Sequence, residues 1–151
     1  MNPSRLKIMQ LIHAAFCVAI CLFSAVVFSL VQGNLHLNAA FGQDDALFPL
    51  FPLLAILAVL TGTFLFRKQL SALEDTLSGE EKVIRYQTAF IIRSAFFEAA
   101  TLMNIVAFLI SANLVFFIVA ATIFIAFLLT RPTRTGLAEA LKLGYEDTEK
   151  L

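Results

Sequence analysis

Two ionisable residues, Glu98 and Arg93, sit inside the otherwise uncharged run Ala89–Ile110. A charged group at bilayer depth costs roughly 2.5 kcal/mol or more on insertion scales, so it needs a partner, a proton or a water-filled pocket. Two chemistries follow for Glu98. A carboxyl that alternates between neutral and charged forms there can carry a proton or a cation. A carboxyl that stays neutral or paired instead locks helix packing, with Arg93, Gln10 or His13 as its partners. Stepping about 100° per residue along a helix places Ser94, Glu98 and Thr101 on one stripe, extended by Gln87 and Ile91. Arg93, Ala100 and Asn104 form a second stripe beside it. Glu98, Ser94, Thr101, Arg93, Asn104, Gln10 and His13 are therefore the candidate site residues.

Other chemistries lack their residues. His13 has no second imidazole within an apolar run, because His36 lies outside them, so neither haem nor metal ligation is expected. Cys17 and Cys21 are four apart on one helix face and read as small packing residues, without a disulfide. The C-x-x-C pairs of disulfide-generating four-helix oxidoreductases are absent. No nucleophile–base set is present either, so no enzyme and no cofactor is expected.

The elements that must position Glu98 are long apolar helices. The 151-residue chain is 60% apolar, against about 45–50% in soluble domains. Four runs, about 8–31, 47–66, 89–110 and 114–130, meet the roughly 17–25 residues a helix needs to cross a bilayer. The expected fold is all-α: a polytopic membrane protein with four transmembrane helices in an antiparallel bundle, one domain over 1–151 with a tail from 131. The first run is too long for the apolar region of a signal peptide. Lys and Arg occur at Arg5 and Lys7, through 67–85 and from Arg131 onward, while the loops near 32–46 and 111–113 have none. That asymmetry predicts both termini on the cytoplasmic side of an inner (plasma) membrane. A net charge of zero gives no nucleic-acid footprint.

Local signals refine the elements. Asn2-Pro3-Ser4 offers caps for the first helix, which should end near Gly33-Asn34. Pro49 and Pro52 fall in the first turns of the second. The spacing of Leu70, Leu73 and Leu77 predicts that this helix continues past Phe66 to Leu77. Ser78-Gly79-Glu80-Glu81 reads as a capping box, so the third helix should start near Gly79 and run to about Ile110. Ser111-Ala112-Asn113 predicts a tight turn, and Pro132 the end of the fourth helix. Leu137 and Leu141 suggest a short amphipathic tail helix, followed by a frayed, charged end at 146–151. On the first helix Gln10, His13, Cys17, Cys21 and Ser24 share a stripe. On the second, Ala55, Ala58 and Gly62 do, and small residues let helix backbones approach closely.

The stretch Ile92-Arg93-Ser94-Ala95-Phe96-Phe97-Glu98-Ala99-Ala100-Thr101-Leu102, with Ile105–Ile110 after it, resembles the carboxylate helix of the rotor proteolipid subunits of rotary ATPases. The resemblance covers about twenty residues and implies an ion-carrying role for Glu98. The chain lacks the glycine-repeat helix of those subunits. Small multidrug-resistance transporters likewise combine four short spans with one membrane Glu, which in them lies in the first span. The expected role is a non-enzymatic subunit or accessory factor of a membrane complex, its partners the lipid bilayer and either copies of itself or a larger assembly. The alternative is a proton- or cation-coupled transporter or energy-converting subunit using Glu98.

Overall fold

The computed structural model describes residues 4–39, 49–74 and 76–149. Its helices are α1 (Arg5–Val31), α2 (Leu50–Ser71), α3 (Gly79–Ser111), α4 (Leu114–Leu128), α5 (Arg134–Leu141) and α6 (Tyr145–Glu149), and a 3-10 turn, Gln32–Asn34, follows α1. The described residues contain no strand beyond one isolated bridge, His36 with Asn113. Three helices, α1, α2 and α3, are long and apolar enough to cross a membrane. The fourth apolar run gives only the 15 residues of α4, which at 1.5 Å per residue span about 22 Å, short of a ~30 Å hydrocarbon layer.

Capping side chains set most helix starts. Ser4 accepts from the Lys7 N–H, and Thr133 from the Gly136 N–H. The capping box is formed in full: the Glu81 N–H donates to the Ser78 hydroxyl, and the Ser78 N–H donates to the Glu81 carboxylate at 3.0 Å. α2 stops earlier than its leucine spacing predicts. After Ser71 the Ala72 N–H reaches back to Lys68 O and the Leu73 N–H to Leu70 O, closing the last turn. Leu70 and Leu73 still pack inward, so the spacing recorded burial on both sides of the stop. The tail also departs from expectation. Tyr145–Glu149 form one further helical turn, anchored where Arg134 donates to Glu149 O at 2.8 Å. The sequence signals at Asn2-Pro3 and in 40–48 lie outside the described residues.

α3 is the hub, packing most extensively on α2, then on α4 and α1. Phe66 of α2 meets Tyr86, and Gly62 meets Phe96, so α2 runs opposite to α3. Arg5 meets Gln87 and Phe28 meets Phe108, so α1 runs with α3. Phe117 meets Phe108 and Phe127 meets Phe97, so α4 runs opposite. The small-residue stripe of α2 is the α2–α3 contact. Ala55 and Gly62 are buried, and a Cβ on Gly62 would lie 2.6 Å from that of Phe96.

Two apolar clusters result. One, around Ile20, Phe97, Ile105, Phe108, Phe116 and Phe127, fills the body of the helices. The other joins Leu6 and Met9 of α1, Val83, Tyr86 and Phe90 of α3, and Leu137 and Leu141 of α5. At the opposite end, the tight turn at Ala112 and Asn113 is tied to the segment after α1. The His36 N–H donates to Ala112 O and the Leu114 N–H to His36 O, while the buried Asn113 amide donates to Asn38 O at 2.8 Å and its oxygen accepts the Asn38 N–H.

Candidate functional site

Polar side chains from α1 and α3 converge where α4 ends. A helix leaves its last four carbonyls without intrahelical partners, and α4 ends in Leu128 with no basic residue in its last turn. The residues that follow supply some donors, the Leu129 N–H to Ile125 O, the Thr130 N–H to Phe127 O and the Arg131 N–H to Leu128 O, and α1 and α3 supply others there and just beyond. His13 Nε2 lies 3.1 Å from Phe127 O, Gln10 Nε2 donates to Pro132 O at 3.1 Å, and an Arg93 guanidinium nitrogen donates to Thr130 O at 3.4 Å. Thr130 adds its own hydroxyl to Phe127 O at 2.7 Å. A carbonyl only accepts, so His13 carries its proton on Nε2. In the neutral ring Nδ1 is then free to accept from the Cys17 thiol, 3.7 Å away.

Arg93 has no counter-ion among the described residues. Its guanidinium carbon lies 3.9 Å from the centroid of the Phe66 ring, and the Phe90 ring is 5.8 Å away on the same α3 face. The aromatic faces and the negative end of the α4 dipole supply the attraction a carboxylate would otherwise give. The Nε atom is buried without a hydrogen-bond partner among the described residues.

The structure brings Gln10, His13 and Arg93 together and leaves Glu98 apart from them. Glu98 is half-buried and, among the described residues, has neither a hydrogen bond nor an ion pair. The pairing expected with Gln10, His13 or Arg93 is not made, because each of those donors is committed to a carbonyl at or just beyond the end of α4. Its stripe-mates are also occupied: Ser94 donates to Phe90 O and Thr101 to Phe97 O, both at 2.8 Å within their own helix. Asn104 donates to Ala100 O at 3.0 Å, while its buried side-chain oxygen finds no partner among the described residues.

Two cavities flank this arrangement. A crevice of about 220 Å³ lies between α1 and α4, walled by Ile20, Cys21, Ser24 and Phe117 and reaching Thr101. One of about 450 Å³ lies where α2, α3 and α5 meet, with Ser71, Lys82 and Lys142 at its edge. Glu98 lines neither. No three His, Cys, Asp or Glu side chains among the described residues are grouped to hold a metal ion.

Sequence reasoning placed the polar residues on their helix faces and missed what they bind. The available signal was negative. The fourth run ends in Leu128-Leu129-Thr130 without a glycine, and Pro132, which has no N–H, follows, so the carbonyls around this stop are short of local donors. Comparison with known protein families, with curated proteins and with solved structures gave no match.

Proposed function

We propose that this chain is a four-span inner-membrane protein with both termini cytoplasmic, its spans in an antiparallel bundle, acting as a non-enzymatic subunit of a membrane complex. The observation that carries the reading is the unpaired Glu98 carboxyl. Every other candidate polar side chain finds a partner within the chain, and Glu98 has none among the described residues. If Ser111 marks the outer end of α3, Glu98 lies about 20 Å below it, well inside a ~30 Å apolar layer. A carboxyl held there is completed by a group from another molecule.

Two further observations support the reading. Leu11, Leu22 and Leu30 on α1 and Leu57 and Leu60 on α2 are each 59% exposed or more, surface suited to lipid or protein helices and not to water. The short α4 is compatible with a span because Gln10, His13 and Arg93 satisfy carbonyls at its end inside the protein. The remaining mismatch is small enough for local bilayer thinning.

Native gels of membranes solubilised in mild detergent test the proposal. Wild-type chain should migrate in a species larger than itself. Glu98→Leu should release it to the size of the free chain, with the fold intact by circular dichroism. A wild-type chain that migrates alone refutes the subunit reading. If Glu98→Gln keeps the assembly but abolishes a gradient-dependent activity, Glu98 is a proton or cation carrier instead.

A further inference from the structure

The open face of α3 carries a continuous seam. Thr88, Ile92, Ala95, Ala99, Leu102 and Val106 alternate in steps of four and three, the spacing with which one helix receives the side chains of another. None of the six is buried, and Ala95 and Ala99 are both exposed one turn apart. Small residues in that relation let a second helix backbone come close. Glu98 follows Ala95 by three and precedes Leu102 by four, so it borders the seam at its narrowest point. α1, α2 and α4 pack mainly on other faces of α3; Leu102 also touches the core of its own chain, while Thr88, Ala95, Ala99 and Val106 are exposed.

We infer that this seam receives a membrane-spanning helix of a different protein, and that the helix brings a cationic side chain, Lys or Arg, to Glu98. The inference rests on the subunit reading above and goes further by naming the surface and the partner's chemistry. Charge complementarity decides against a second copy. Ten of the eleven Lys and Arg residues lie at or before Lys7, within 67–85, or after Thr130, away from the level of Glu98. The eleventh, Arg93, is held between Phe66 and Thr130 O. Thr61 is exposed on α2 near that level, since Gly62 packs on Phe96. Its hydroxyl can donate one hydrogen bond but cannot neutralise a carboxylate.

Site-specific photocrosslinking in native membranes tests this. A photoreactive residue is placed at Ala99, with controls at Leu57 on α2 and Ile118 on α4, and each position is compared in the wild-type chain and in Glu98→Gln. Ala99 should give a discrete adduct to a different protein, with the crosslink mapped to a span bearing a basic residue. Glu98→Gln should lower its yield about three- to twenty-fold, the range that intramembrane polar contacts cover, while the purified variant keeps its helical spectrum. An adduct to the chain itself, lost in Thr61→Val, overturns the inference in favour of self-association. So does a partner span without a basic residue, or a yield indifferent to Glu98→Gln. Protein adducts from Leu57 or Ile118 alone overturn the seam and leave the subunit reading standing, and lipid adducts at all three positions overturn both.

Discussion

Arg93 shows how a buried cation is kept without a salt bridge. Its guanidinium lies over Phe66 and donates to Thr130 O, each contact being worth about 0.5–2 kcal/mol in partly buried surroundings. Desolvation offsets part of that, so Arg93→Leu should lower stability in detergent by about 1 kcal/mol, read from thermal unfolding. Arg93→Lys should recover only some of the loss, because an ammonium keeps the charge and gives up the planar stacking. Ser78 and Glu81, on the polar first turn of α3 outside the apolar run, make a pH-dependent pair. The Ser78 hydroxyl and N–H hold the Glu81 carboxyl below the usual carboxylate range. A lowered folded pKa means that the stabilisation is complete above the unfolded value and disappears as pH falls through the folded one. Amide exchange in the first turn of α3 should therefore quicken in acid, and Ser78→Ala should remove most of that pH dependence.

Among the elements, α3 was the most legible in the sequence and the end of α2 the least. The capping box fixed the start of α3 at Gly79, and Ser111-Ala112-Asn113 marked its end. Both are local signals, written in residues within a turn of the boundary. The stop at Ser71 was not legible, because Leu70 and Leu73 carry the same packing whether the backbone between them is helical or reversing. The convergence of Gln10, His13 and Arg93 was hidden for a different reason. It depends on which helices become neighbours, and periodicity gives a face without saying what faces it. Two substitutions test the element contacts. Gly62→Ala places a Cβ 2.6 Å from that of Phe96, so it should separate α2 from α3 and cost about 1–3 kcal/mol. Ala112 holds a left-handed conformation at φ 52°, so Ala112→Gly should be stabilising by roughly 0.5–1 kcal/mol.

At the scale of the whole molecule, the proposed membrane orientation is joined to a carboxyl that has no partner among the described residues. Reporter fusions after Ala39 and at Thr76 should report outside and inside respectively, and the reverse pattern would remove the stated depth of Glu98. The central claim is that the partner of Glu98 lies outside its own chain, and thermal unfolding of the purified single chain, wild type against Glu98→Leu, tests it most directly. With no partner among the described residues, exchanging the carboxyl for an apolar group leaves none of their donors unsatisfied, so the variant should unfold at the same or a higher temperature. A variant less stable by roughly 1–3 kcal/mol, the cost of orphaning a buried hydrogen-bond partner, would show that Glu98 is already satisfied within the chain and would contradict the account.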